Sequence, residues 1–217
     1  MKLVIFGATG ATGQCLVEQA LAQGHDVTAF ARNPLAFATH QEHLRVVAGD
    51  VFKPASVQEA VVGQDAVLCA IGGHDRLRVA LSRQPRQKAL CTVGTSNILD
   101  AMKQCGASRL ICLSAWGVGE SKERFPFFFK HVILPLLMKD EYEDKEAQEQ
   151  LVRHSSLDWT IVRPSRLTNG PHTGRYRMQA GLSFSGRSHI SRVDVADCML
   201  RQLTEPTFRQ QCIEVSY

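Results

Sequence analysis

The chain has 217 residues, 44% of them hydrophobic and 21% charged, with a net charge of +4. That length holds one α/β domain with a sizeable core and leaves little for a separate substrate domain. No uninterrupted apolar run reaches the 18 or more residues of a membrane span, and no basic stripe with interleaved aromatics marks a nucleic-acid surface.

Leu3-Val4-Ile5-Phe6 reads as a strand that runs into Gly7-Ala8-Thr9-Gly10-Ala11-Thr12-Gly13 and then a helix-like segment from Gln14 to Gln23. A strand that turns at glycine and restarts as a helix aims several backbone N–H groups, and the positive end of the helix dipole, at one spot. A pyrophosphate fits there. The glycines have separate tasks: a tight turn out of the strand, close approach of the main chain to phosphate, and close packing of helix on sheet. The helix presents Leu16, Val17, Ala20 and Leu21 on one face, Gly24 stops it, and Asp26 to Ala31 reads as a second strand. An NAD-preferring βαβ unit carries an acid at the end of that strand, whereas this chain continues through Arg32-Asn33-Pro34. The guanidinium suits a 2′-phosphate, so NADP (as NADPH) is expected ahead of NAD.

Leu44 to Ala48 reads as a third strand with Gly49-Asp50 as its exit, and Pro54 to Val62 as a short helix with Val57, Ala60 and Val61 inward. Asp65 to Ile71 is the fourth strand and ends in Gly72-Gly73, where missing Cβ atoms let a ligand pass close to the backbone. A basic loop, His74 to Gln87, leads into a long helix through Met102 that Gly106 ends. The fifth strand, Arg109 to Leu113, delivers Ser114-Ala115-Trp116-Gly117 to the carboxyl edge, the side of an α/β sheet where ligands bind. Phe125 to Met138 is the most apolar stretch, read as core packing or as an aromatic flap over a flat ligand or subunit patch. Asp140 to His154 is a charged helix with Ala147, Leu151 and Val152 inward, and Leu157 to Val162 is a sixth strand leaving through Arg163-Pro164-Ser165-Arg166. Thr168 to Ser188, rich in Gly and Pro, reads as a strand and a variable substrate loop. Ser191 with Asp194 reads as a cap and its acid, opening a last helix with Val193, Ala196, Met199, Leu200 and Leu203 inward, and Cys212 to Val215 closes the sheet.

The G-x-x-G-x-x-G spacing, Arg32 and these later landmarks resemble the atypical short-chain dehydrogenase/reductases of the NAD(P)H-binding, NmrA-like branch, which includes the biliverdin-IXβ/flavin reductases. The resemblance implies a doubly wound, mostly parallel Rossmann-type sheet in a single α/β domain over residues 1–217, with a small substrate-loop region near 165–190. It implies a cofactor site at Gly7, Thr9, Gly10, Ala11, Thr12, Gly13, Arg32, Asp50, Val51, Ala70, Ile71, Gly72, Ser114 and Pro164. Asp50 near the adenine ring competes with Asp50 as a turn carboxylate. Ser114, Arg166 and Lys145 are the expected catalytic side chains, with Arg166 standing where biliverdin-IXβ reductases carry a His. Ordinary members use Tyr-x-x-x-Lys, but here Tyr142-Glu143-Asp144-Lys145 is one residue short, which turns the helical facing by about 100°. Lys145 then either reaches the ribose or acceptor alone or is a solvated helix lysine.

The function expected is hydride transfer from NADPH to a small planar acceptor such as a flavin, quinone or tetrapyrrole. The alternative is a non-catalytic NADP(H)-binding redox sensor acting through a protein partner. Seven cysteines without C-x-x-C spacing read as free thiols, and the scattered histidines argue for no metal. A start with one Lys and no apolar leader reads as cytoplasmic, and no membrane or nucleic-acid partner is expected. The oligomeric expectation is a monomer or weak homodimer.

Overall fold

The computed structural model describes residues 1–37, 41–72, 89–124, 138–185 and 187–217. The basic loop after Gly72 and the apolar stretch 125–137 lie outside the described residues. Strands are β1 (Lys2–Phe6), β2 (Asp26–Ala31), β3 (Leu44–Ala48), β4 (Ala66–Cys69), β5 (Arg109–Leu113), β6 (Asp158–Pro164), β7 (Arg166–Thr168), β8 (Arg177–Gln179), β9 (His189–Ser191) and β10 (Gln211–Ser216). Helices are α1 (Ala11–Ala22), α2 (Pro54–Val61), α3 (Leu90–Cys105), α4 (Lys139–Arg153) and α5 (Arg192–Arg201).

Eight strands form one sheet in the order β3-β2-β1-β4-β5-β6-β10-β8. All its pairings are parallel except β10 with β8, at the edge. Parallel strands need helical crossovers, so helices cover both faces and the central strands are apolar on both sides rather than alternating. Leu3, Val4, Ile5 and Phe6 are all fully buried. On one face Leu16, Val17 and Ala20 of α1 join Val195, Ala196 and Met199 of α5. The other face packs Val57 of α2, Ile98 and Met102 of α3 and Val152 of α4. Burying each such side chain stabilises the fold by about 1.5–3 kcal/mol. Among the described residues no helix is long and apolar enough to cross a membrane.

The doubly wound expectation holds, with corrections at several boundaries. The first helix starts at Ala11 rather than Gln14, so its first turn lies inside the glycine run. The fourth strand is shorter than expected, ending at Cys69, and the sixth is longer, extending through Pro164. Residues 166–168 pair with 189–191 in a separate two-stranded sheet, leaving Arg177–Gln179 on the main one. Ser191 caps α5 by accepting the Asp194 N–H at 3.0 Å. The Asp194 carboxylate is turned elsewhere: it accepts from the Thr173 and Gly174 N–H groups and from the Thr173 and Tyr217 hydroxyls, pinning the 173–174 turn. Val193 is only half-buried and Val195 takes its place in the core.

Candidate functional site

The strand order reverses between β1 and β4, and the segments leaving those two strands meet there. Gly7 leaves β1 with φ +79°, and a Cβ on it would lie 2.6 Å from the Ala70 carbonyl oxygen that follows β4. A Cβ on Gly13 would lie 2.0 Å from the Gly7 oxygen, so only glycine lets the helix sit this close to the loop. Gly10 differs: its added Cβ would touch only the Gly7 oxygen, at 3.2 Å, and Thr9, Gly10 and Ala11 are exposed. Gly10 is also the N-cap of α1, with no side chain capping the helix. Open space over Gly10 and uncapped first-turn N–H groups fit a pyrophosphate. Thr12 is buried behind this rim.

Beside the cradle, β4 and β5 end against a polar stripe of α4. Lys145, Gln148, Glu149 and Val152, at helical spacing, form its buried face. The solvated reading of Lys145 is therefore corrected: it is 6% exposed, and its Nζ donates to the Ile71 oxygen (2.8 Å), the Leu113 oxygen (2.7 Å) and Gln148 Oε1 (2.9 Å). Ala147 and Leu151, expected inward, are half-buried. Tyr142 donates its hydroxyl to the Trp116 carbonyl at 3.1 Å, and burial, helped by Glu141, pushes its phenol up to about 12. Tyr142 and Lys145 thus serve different partners, as the shortened spacing implies.

Ser114 lies at the same edge, its N–H donating to the Val162 oxygen and its hydroxyl to Glu149 Oε1 at 2.5 Å. Glu149 is in turn gripped by Arg163, which is fully buried: Nε lies 2.9 Å from Oε1 and Nη2 2.5 Å from Oε2. The same guanidinium reaches Glu120 and the buried Glu214. Burial works against the Glu120 carboxylate, yet hydrogen bonds from Arg163 hold its pKa down to about 2. Glu214 also accepts the Gly181 and Leu182 N–H groups, which brings Phe184 against Trp116 with ring centroids 5.1 Å apart. Glu149 and Gln148 were missed in the sequence because their stripe is polar. Their i, i+3, i+4 relation to Lys145 was the one available signal.

The remaining expected residues divide by place. Arg32 is exposed at the end of β2, on the same edge as the cradle. Asp50 Oδ1 accepts the Phe52 N–H at 3.1 Å, the turn arrangement, while Val51 is buried and its carbonyl accepts from Asn97. Ala70 and Ile71 border Gly7, and a Cβ on Gly72 would lie 3.3 Å from the Lys145 ammonium. Pro164 is buried and its carbonyl accepts the Trp116 N–H. Arg166 stands apart from the Ser114 and Lys145 cluster in contact terms, exposed on β7 opposite His189. All seven cysteines are free, four of them buried, and among the described residues no group of side chains has metal-binding geometry.

Known proteins resemble this chain in sequence or in fold. YwnB of Bacillus subtilis is 26% identical over 97% of this chain and 96% of its own length. ChuY, an anaerobillin reductase from Escherichia coli O157:H7, superposes with a TM-score of 0.81 at 22% identity, covering 99% of this chain and 96% of that one. A short-chain dehydrogenase/reductase of Veillonella parvula in complex with NADP gives 0.80 at 20% identity over 100% and 94%. The last two establish likeness of fold. The profile of a family described as NAD(P)H-binding matches residues 7–206, which contain the whole cradle and both strand ends beside it, and the chain belongs to that NAD(P)H-binding family.

Proposed function

We propose that this protein is an NADPH-dependent reductase that passes hydride to a small planar acceptor, a flavin, quinone or tetrapyrrole. The observation that carries this reading is that both hydroxyls beside the carboxyl edge, Ser114 and Tyr142, already donate to protein acceptors. A carbonyl reduced to an alkoxide needs a side-chain acid at that place, whereas a conjugated ring can take hydride and draw its proton from water. A fold neighbour that reduces an anaerobillin is in keeping with this class of acceptor.

In this reading the backbone of Gly10, Ala11 and Thr12 binds the pyrophosphate, Gly7 and Gly13 keep the loop tight against the helix, and Arg32 meets the 2′-phosphate. Val51 with Asp50 bounds the adenine side, and Ala70, Ile71, Gly72 and Pro164 form the wall on the nicotinamide side. The cofactor, once bound, supplies the hydride. Ser114, its proton committed to Glu149, offers oxygen lone pairs and so accepts a hydrogen bond from the carboxamide rather than donating to the acceptor. In the same reading Arg166, exposed on β7, meets an acidic group on an acceptor large enough to reach beyond the Ser114 edge.

NADPH should bind at least about tenfold tighter than NADH, because a charge-assisted pair contributes roughly 1.5–3 kcal/mol. Arg32→Ala should erase most of that preference in titrations of both cofactors, and a mutant that kept it would remove Arg32 from the site. Ser114→Ala should lower turnover about tenfold, the size of one lost hydrogen bond. Complete loss with normal NADPH binding would instead make Ser114 an obligatory proton donor. The decisive experiment is NADPH oxidation with a panel of FMN, quinones and a linear tetrapyrrole. Steady turnover with any of them supports the reductase, and none, despite micromolar cofactor binding, supports the sensor.

A further inference from the structure

From residue 166 to residue 193 the chain carries five arginines and two histidines but no Asp or Glu. Elsewhere among the described residues every arginine except Arg32 has a carboxylate oxygen within 3.8 Å. The five in this segment have none among the described residues. Arg177 and Arg192 are spent on neutral oxygens, the Tyr217 main-chain oxygen at 3.0 Å and Asn169 Oδ1 at 2.6 Å, while Arg166, Arg175 and Arg187 are exposed. The acids of the helix that follows do not neutralise them. Asp194 and Asp197 are buried, the first engaged by Thr173, Gly174 and Tyr217 and the second by Tyr176 and Arg201, with His172 beside both. Like charges gathered without counter-ions repel one another, so their concentration on one segment points to a ligand of opposite sign.

The fold sets this charge beside the candidate site. Strands β6 and β10 are parallel and end at the carboxyl edge, β7 begins directly beyond β6, and Tyr217 follows β10. Arg166 and His189 are register partners across β7 and β9, so their side chains share a face. The His189 ring meets the Tyr217 ring edge-on with centroids 5.4 Å apart, and Tyr217 lines a cavity of about 510 Å³ together with Thr173 and Arg175. In the sheet order β10 is two strands from β5, whose end carries Ser114. At about 4.8 Å per strand the two ends are roughly 10 Å apart. We propose that Arg166 and Arg175 form an anion-binding half of the acceptor site, holding a phosphate or carboxylate arm of a ring that takes hydride at the Ser114 edge. This rests on the reductase reading above and narrows its acceptor to an anionic flavin or tetrapyrrole, to the exclusion of neutral quinones. A guanidinium suits either anion, since both offer paired oxygens to its fork of N–H donors.

The test compares two pairs of probes that keep the ring and change only the anion: FMN with riboflavin, and a linear tetrapyrrole dicarboxylate with its dimethyl ester. Each is titrated into the whole protein without nicotinamide, followed by flavin fluorescence or tetrapyrrole absorbance, and into the double variant Arg166→Gln with Arg175→Gln. In at least one pair the wild type should bind the anionic member about tenfold tighter or more, as charge-assisted contacts imply. In the folded variant that ratio should fall to within about twofold of one, with the pair that responds telling phosphate from carboxylate. Equal binding within both pairs, no binding of any of the four, or a preference that survives the double substitution overturns the proposal. NADPH oxidation by the same four compounds is read separately. Its absence beside an arginine-dependent preference sinks the reductase reading and leaves the anion site in place, whereas turnover without any preference does the reverse.

Discussion

Gly10→Val is expected to abolish NADPH binding while leaving the fold in place. The two halves of that expectation come from different neighbours. A Cβ at residue 10 meets only the Gly7 oxygen at 3.2 Å, a contact the loop relieves by moving a few tenths of an ångström, and its backbone sits at φ −72°, ordinary for valine. The isopropyl group then fills the space over the uncapped first turn of α1, where the pyrophosphate would approach the N–H groups. Losing two charge-assisted hydrogen bonds costs at least about 3 kcal/mol, so affinity should drop on the order of 100-fold or more. Gly13→Val is the informative contrast: its Cβ would stand 2.0 Å from the Gly7 oxygen, so that variant should lose stability as well as binding. Isothermal titration with a parallel thermal melt separates the two. A Gly10→Val protein that bound NADPH with wild-type affinity would place the phosphates elsewhere.

Arg163→Ala is expected to be the most destabilising substitution at the site. Its guanidinium is fully buried and links two carboxylates that are themselves 1 to 2% exposed, Glu214 and Glu149. Among the described residues, removing it leaves Glu149 with the Ser114 hydroxyl, and Glu214 with Arg124 and two backbone N–H groups. Breaking such a pair from one side costs about 3–5 kcal/mol, because the stranded charge has lost both water and partner. The urea midpoint should move down by 1 M or more at an m-value of roughly 1–3 kcal/mol/M. The double variant Arg163→Met with Glu149→Leu should be less destabilised than the sum of the two singles, since it strands fewer charges. A loss below about 1 kcal/mol in the single variant would show that the cluster contributes little.

The parts of this protein that local chemistry governs were legible in the chain. Strands buried on both faces must be continuous apolar runs, so β1, β2 and β5 appear where those runs do. The cradle is a seven-residue segment whose glycines answer to each other and to the Ala70 carbonyl, so the NAD(P)H-binding class could be read without knowing the sheet. The polar half of the site could not. Helical periodicity identifies an inward face by its apolarity, and a buried stripe of Lys145, Gln148 and Glu149 looks the same in sequence as a solvated one. Its partners are distant in the chain: Ile71 is 74 residues from Lys145 and Ser114 is 35 from Glu149. Only the strand order, which sets β4, β5 and β6 side by side over α4, brings those carbonyls, the serine and Arg163 to one place, and burial there turns a helix lysine into a fixed internal charge.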